Sequence, residues 1–186
     1  MMQDMHSYSM SGARRRESLA DWMNHPDFTH AIHLAPNQAS LSFHKMRDMF
    51  GRFCFQMDRY LLGVKHVHFR NSHGRLQMIA MPEKLGLNPH LHGVANFSPA
   101  YWGESLTLPW EWKLNEVWRE VTRGSGSTVI QANPDRGAAL YATKEAYRRD
   151  HEYLHSWDFH RDDKLRKRPH ATSLHTIAPR KAVLHS

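Results

Sequence analysis

Residues 88–97 read Asn-Pro-His-Leu-His-Gly-Val-Ala-Asn-Phe and predict a strand that begins at His90. Side chains two positions apart on a strand point to the same face, so His90 and His92 form a pair, whereas Leu91 points into the core. Two adjacent imidazoles can occupy two neighbouring positions on one metal ion. Gly93 leaves room for a second backbone or a ligand to approach closely. The segment therefore predicts a sheet with a core face and a face that carries a metal-binding pair.

The elements around this strand predict an α+β fold. Period-2 and period-3.6 apolar patterns separate strands from helices along the chain. Most links between successive strands are too short for a crossover, so we expect a sandwich with a mainly antiparallel central sheet and helices packed on it. Strands are predicted at Phe28–Leu34, Val64–Arg70, Arg75–Glu83, His90–Phe97 and Thr128–Ala132, and helices at Ser18–Asn24, Ser40–Leu62, Leu114–Thr122 and Arg136–Leu154.

Length and charge indicate one basic domain with polar ends. The 186 residues suit a single domain with a substantial core. We expect a basic flexible arm at 1–17, the folded domain at 18–160 and a basic, disordered tail at 161–186. The net charge of +7 favours a polyanion as partner, most commonly nucleic acid, although charge can also serve solubility alone.

Other features bear on the compartment. The apolar runs are too short to span a bilayer, and the first residues do not resemble a secretory signal. The single cysteine, Cys54, excludes an internal disulfide and is expected to be buried. A cytoplasmic protein without a membrane partner is expected.

A third metal ligand is predicted at Glu83. If residues 84–89 form a hairpin loop, Glu83 lies directly across from His90, with Cβ atoms about 5 Å apart. Two imidazoles and one carboxylate suit Mg²⁺ or Mn²⁺ acting on phosphate better than Zn²⁺. The alternative is an ordinary exposed carboxylate before a turn.

A nucleophile is predicted on the last helix. Tyr141 and Lys144 are three residues apart, so a helix places them on one face. A lysine ammonium beside a phenol favours the phenolate, which is the attacking form. Glu145 lies four residues beyond Tyr141 and is a rival third metal ligand. The alternative is a half-buried tyrosine beside a surface lysine.

These segments, in this order, resemble the HUH endonucleases of the single-tyrosine rolling-circle replication initiator type. Residues 28–34 stand where that family has its first strand motif. Pro89-His90-Leu91-His92-Gly93 matches its His-hydrophobic-His motif, and Tyr141-Ala142-Thr143-Lys144 matches its Tyr-x-x-Lys motif. The resemblance covers residues 26–155.

The resemblance implies a ferredoxin-like, RRM-like sheet with both histidines on its central strand. It also implies nicking and rejoining of single-stranded DNA or an origin hairpin through a covalent 5′-phosphotyrosine. Many relatives carry a helicase with a phosphate-binding loop, and that motif is absent from this sequence, so a separate helicase is expected. A plasmid or phage in a prokaryotic host is the expected source.

Two other functions stay open. A single-tyrosine transposase uses the same chemistry and tends to place its third ligand where Glu145 stands. A non-catalytic module could bind single strands by charge and by stacking on Trp102, Trp110 and Trp112, although core packing is the more common role of such residues. The predicted DNA contacts are His33, Arg14, Arg15, Arg16 and Arg148. The sequence does not indicate an oligomeric state.

Overall fold

The computed structural model describes residues 3–63, 75–97, 110–145 and 153–159, with side chains from Gly12 onward. Its helices are α1 (Gln3–Met23), α2 (Phe43–Leu62), α3 (Trp110–Val121) and α4 (Arg136–Ala142). Its strands are β1 (His30–Ala35), β2 (Met78–Glu83), β3 (His90–Ala95), β4 (Ser127–Ala132) and β5 (Leu154–His155), and a 3₁₀ helix follows at Ser156–Phe159.

The five strands form one antiparallel sheet in the order β4-β1-β3-β2-β5. The first four strands and the helices between them follow the β-α-β-β-α-β order of a ferredoxin-like sandwich. The predicted α+β class is therefore confirmed. The histidine strand β3 is central and pairs with β1 on one side and with β2 on the other.

Each face of the sheet packs against its own pair of helices. The larger core lies between the sheet and helices α2 and α3, and it contains Leu91 as predicted. On the opposite face, α1 and α4 pack against Ile79, Met81 and Val94. Because side chains alternate along a strand, His90 and His92 share this second face with Val94. The metal pair and the nucleophile helix α4 therefore lie on the same side of the sheet.

The ends of α2 show why the predicted helix forms where it does. The Ser42 side chain accepts a hydrogen bond from the backbone N–H of Lys45 at 3.3 Å, which caps the first turn. Gly63 ends the helix at the predicted position with a φ of 77°, a conformation that favours glycine. The Met and aromatic stripe of this helix lies in the core, and Cys54 is buried there as expected.

Helix α1 begins much earlier than predicted. The sequence predicted a flexible arm over residues 1–17 and a helix from Ser18, but the helix already begins at Gln3. Residues 3–23 contain no proline, and arginine and glutamate are good helix formers, so nothing interrupts the helix before Pro26. Arg14 is exposed on this helix, whereas Arg15 and Arg16 are half-buried.

The last predicted helix, Arg136–Leu154, ends earlier than predicted, and its residues 146–152 lie outside the described part of the chain. Helix α4 ends at Ala142, and the Thr143 hydroxyl donates to the carbonyl of Ala139 at 3.0 Å. Leu154 lies at a helical spacing from Leu140 and so fitted the apolar pattern, yet it lies in β5 and pairs with Ala80. Local periodicity does not distinguish these two outcomes, because the pairing of β5 is a long-range contact.

Several sequence predictions lie outside the described residues. They are the strand at Val64–Arg70, the DNA contact at Arg148, the stacking residue Trp102 and the tail at 161–186. Among the helices that are described, none is both long and apolar enough to cross a membrane.

Candidate active site

Three histidines from two strands meet on the second face of the sheet. His33 on β1 pairs with His92 on β3, and the two rings have centroids 4.7 Å apart. The His90 ring is 5.0 Å from the His33 ring and 4.8 Å from the His92 ring. One ring nitrogen of each residue lies within 4.8 Å of those of the other two, so the group could hold a metal ion.

His33 was predicted as a DNA contact, and its place in this cluster was missed. The alternation of β1 put His33 on the face opposite Ile32, which is the face it occupies. The sequence does not show that β1 pairs with β3. This pairing and its register bring His33 beside His92.

Two rings of the cluster favour the neutral state, which is the metal-binding form of histidine. Burial, together with the neighbouring His33 and His90, lowers the pKa of His92 to about 4 against the opposing effect of the Glu83 carboxylate. Burial also lowers the pKa of His33, and the nearby His90 acts in the same direction. A cation would therefore meet imidazole lone pairs rather than imidazolium charges at neutral pH.

The orientation of His90 provides a test of whether a metal ion fits. Its Nδ1 lies 2.8 Å from the carbonyl oxygen of Asn88. A carbonyl can only accept, so Nδ1 carries the hydrogen and the Nε2 lone pair is directed at Glu83 Oε2, 3.1 Å away. An imidazole lone pair and a carboxylate oxygen therefore face each other. This contact is favourable if the ring carries a second proton, or if Nε2 and Oε2 both bind one cation. Ligand atoms about 2.1 Å from one ion and at right angles are about 3 Å apart, so the spacing fits shared coordination.

Glu83 is buried at the base of the cluster. It lies opposite His90 in the β2–β3 register, as predicted, and its side chain is 0% exposed. Its Oε2 is 3.6 Å from His92 Nε2 and 3.0 Å from Lys144 Nζ, whereas its buried Oε1 has no hydrogen-bond partner among the described residues. Burial alone would raise the pKa of Glu83, but its contact with His90 and the hydrogen bond and charge of Lys144 lower it overall. The carboxylate is therefore ionised beside the ring nitrogens of His90 and His92, which fits a divalent cation.

Tyr141 lies at the rim of this cluster. Its ring meets the ring of His92 edge to face, with centroids 5.1 Å apart, and the residue is 56% exposed. The adjacent Lys144 lies in the turn after α4 and not on the helix, but its chain folds back so that Nζ is 3.6 Å from the centre of the Tyr141 ring. The sequence-predicted proximity of these two residues thus arises from a turn.

Lys144 connects the phenol to the buried carboxylate. Partial burial disfavours the charged amine, but hydrogen bonds with Tyr141 and Glu83 raise the pKa of Lys144 overall. A permanent ammonium therefore lies between Tyr141 and Glu83. Glu145, the rival ligand, is in the same turn, and the histidine group found among the described residues does not include it.

Helix α1 holds the nucleophile helix in place. The Nη2 of Arg16 donates to the carbonyl oxygen of Leu140 at 3.0 Å, and Arg136 forms an ion pair with Asp21 at 2.9 Å. Arg16 was predicted to contact DNA, and in the structure it contacts the residue next to Tyr141. Arg14 points to solvent, so its predicted contact with DNA stays a prediction.

A cleft opens between α4 and the strands β1 and β4, beside the cluster. Its volume is about 440 Å³. His33, His92 and Tyr141 line one end, and the side chains of Val129 and Gln131 on β4 line its floor. The cleft therefore connects the histidine cluster and Tyr141 to an exposed part of the sheet.

The tryptophans have two different environments. Trp110 is buried and stacks on Phe97 with centroids 3.9 Å apart, as expected for core packing. Trp112 is 63% exposed and remains available for a partner. Neither residue lines the cleft beside Tyr141.

The site thus combines a metal-ligand cluster, an exposed phenol beside an ammonium, and an open cleft. Such an arrangement can hold a phosphate diester next to a nucleophile. Comparison of the chain with protein-family models, with curated proteins and with solved structures gives no match.

Proposed function

We propose that this protein is a metal-dependent endonuclease of the HUH replication-initiator type, which nicks and rejoins single-stranded DNA through a covalent link to Tyr141. The observation that carries the proposal is the edge-to-face contact of Tyr141 with His92, at 5.1 Å between ring centroids. The two residues are far apart in the sequence, and the resemblance to HUH endonucleases predicts that they belong to one site.

The proposed chemistry is a transesterification that needs only this chain and a bound cation. The Tyr141 oxygen forms a bond to phosphorus while the bond from phosphorus to the 3′ oxygen breaks. The phenol proton is lost and the leaving 3′ oxygen is protonated, giving a 5′-phosphotyrosine and a free 3′-OH. Attack by a 3′-OH reverses the step, so rejoining needs no nucleotide cofactor. The Lys144 ammonium, 3.6 Å from the centre of the Tyr141 ring, would stabilise the negative charge that develops on the transferring phosphate.

Histidines 33, 90 and 92, with Glu83 beside them, would hold the cation, which would polarise the scissile phosphate. Imidazole nitrogen is a ligand for transition-metal ions, whereas Mg²⁺ is held almost entirely through oxygen. Of the two predicted ions, Mn²⁺ is therefore the one that this donor set favours. The DNA would arrive already unwound or be unwound by a separate helicase.

A covalent adduct tests the proposal directly. The protein is incubated with single-stranded oligonucleotides, including hairpins, and with Mn²⁺, and a complex that survives denaturation is sought. We expect the parent to form it and Tyr141→Phe to form none. The matched control is Tyr60→Phe, which removes a hydroxyl from α2 on the other face of the sheet. An adduct with Tyr141→Phe would refute the assignment of the nucleophile.

Metal-ligand variants separate cleavage from binding. We expect His90→Ala and His92→Ala to lose cleavage but retain most DNA affinity, because phosphate contacts supply most of that affinity. Binding by the parent without any adduct would favour the non-catalytic module instead. The transposase alternative placed a ligand at Glu145, whereas the third nitrogen comes from His33 on β1. The replication-initiator type is therefore the version that we propose.

A further inference from the structure

We infer that the cleft between α4 and β4 binds the base next to the scissile phosphate, and that Gln131 determines which base is accepted. This inference rests on the proposed function. It adds a specificity site that the metal ligands and the nucleophile do not supply.

The position of the cleft follows from the β1–β4 register. Val129 pairs with His33, and Gln131 pairs with Ala31, so both β4 side chains share a face with the histidine cluster. The cleft runs from Tyr141 and His92 to these two residues. A strand held at Tyr141 by its phosphate would have a neighbouring base within reach of this surface.

The charge of the cleft favours a base over a phosphate. Among the described residues that line it, none is lysine or arginine. The ionisable groups that line it are His33, His92, Tyr141 and Asp135, whose Oδ1 accepts a hydrogen bond from the N–H of Ala138 at 2.8 Å. Away from the histidines, a phosphate would therefore meet no cationic side chain among the described lining residues and would be repelled by Asp135. The nearest ammonium, that of Lys144, lies over Tyr141 and is placed to hold the scissile phosphate itself.

The shape and surface of the cleft also suit a base. Its volume of about 440 Å³ lies within the usual range of small-molecule sites, roughly 300–1,000 Å³. Small residues, Ala31, Gly137 and Ala138, line its walls and leave room for a planar ring. Val129 is 63% exposed and offers an apolar surface on which a ring can pack.

Gln131 is the polar group placed to read the base. It is exposed on β4, and its amide offers both a donor pair and an acceptor. Glutamine forms a matched pair of hydrogen bonds with adenine, whereas a carboxylate at that position accepts from the amino group of cytosine. We therefore expect adenine at one position adjoining the break.

The experiment uses the full-length protein, a pool of randomised single-stranded oligonucleotides and Mn²⁺. Strands that become linked to the protein are sequenced with the fragments they release, which gives the base preference at each position around the break. We expect the parent to prefer adenine at one adjoining position by about tenfold. Gln131→Ala should lose that preference among the adducts that it forms, and Gln131→Glu should shift it toward cytosine. Gln56→Ala, on α2 at the opposite face, should behave as the parent.

The outcomes separate this inference from the proposed function. If the parent and both Gln131 variants form adducts with the same base preference, the base site is refuted. The proposed nuclease activity is still supported by that result. A parent that forms no adduct with any member of the pool overturns both. Loss of adduct in Gln131→Ala without a change of preference among the residual products also overturns the assignment of Gln131 as the reading residue.

Discussion

His33 and His92 lie directly opposite each other on β1 and β3, with ring centroids 4.7 Å apart. Glu83 lies opposite His90 in the same way on β2 and β3. The proposed metal ligands are thus two cross-strand pairs on three adjacent strands. Backbone hydrogen bonds between the strands hold these pairs together, so the donor atoms have little freedom to move apart.

The first prediction concerns His33. We expect His33→Ala to weaken Mn²⁺ binding by at least about tenfold, as His90→Ala and His92→Ala do, because each removes one of three nitrogen donors. Calorimetric titration of the metal gives the affinities. His44→Ala, an exposed histidine on α2, is the control and should bind metal as the parent does. Unchanged affinity in His33→Ala would remove this residue from the site.

The second prediction separates the two carboxylates. Glu83→Gln keeps the shape of a buried side chain but removes the charge beside His90 and Lys144. We expect weaker Mn²⁺ binding and slower adduct formation. Glu145→Gln should leave the metal affinity unchanged, because the carboxylate that lies 3.1 Å from His90 and 3.6 Å from His92 is that of Glu83. The reverse pattern in the titrations would support the transposase-like arrangement.

The third prediction concerns the ammonium over the phenol ring. Lys144→Met removes a charge 3.6 Å from the Tyr141 ring centre, and we expect adduct formation to slow by about 100-fold. Lys113→Met, on α3, is the control. Adduct formation at the parental rate in Lys144→Met would show that Lys144 does not assist the attack.

The fourth prediction concerns the support of α4. Arg16→Ala removes the hydrogen bond to the carbonyl of Leu140, and we expect a loss of about 1–2 kcal/mol in the free energy of unfolding. Adduct formation should fall while Mn²⁺ affinity stays the same, since no metal ligand is touched. Arg14→Ala removes an exposed arginine two residues earlier on the same helix and controls for loss of charge. Equal effects of the two substitutions would indicate that Arg16 acts only through its charge.

The fifth prediction concerns the buried pair of Asp58 and Arg75. Burial raises the pKa of Asp58 to about 6, although the N–H of Leu76 and the charge of Arg75 oppose the shift. The folded state therefore holds this proton to a higher pH than the unfolded chain does. The contribution of Asp58 to stability falls as the pH rises from about 4 through about 6.

Asp58→Asn tests this linkage. Relative to the parent, the variant should gain on the order of 2 kcal/mol in the free energy of unfolding as the pH rises across that window. Denaturant titrations at several pH values measure the difference. Asp48→Asn, at an exposed position on the same helix, should show no such trend. A constant difference between parent and Asp58→Asn would contradict the raised pKa.

The fold and the main site residues could be predicted because their signals are local. The spacing of His90 and His92 predicted one face of one strand, and the short loop before it placed Glu83 opposite His90. Helix α2 and its end at Gly63 could also be predicted from the sequence, because helix caps and apolar periodicity depend on neighbouring residues.

The remaining features depend on contacts between distant segments. His33 joins the cluster only through the β1–β3 register, and Leu154 leaves the helical pattern because it pairs with Ala80. In the sequence, Arg16 belongs to a basic run and is predicted to contact DNA. In the folded protein α1 packs against α4, and Arg16 donates to the carbonyl of Leu140. In each case the residue type and its local pattern were compatible with two roles, and tertiary packing decided between them.

The alternation of β3 has a consequence for how the metal-free protein behaves. A slip of one residue against β1 or β2 would turn His90 and His92 into the core and expose Leu91. The burial of Leu91, which is 0% exposed, therefore selects the same register that assembles the donors. The fold by itself brings the ligand atoms together. We therefore expect the metal ion to bind to the folded protein, and folding should not require the metal ion.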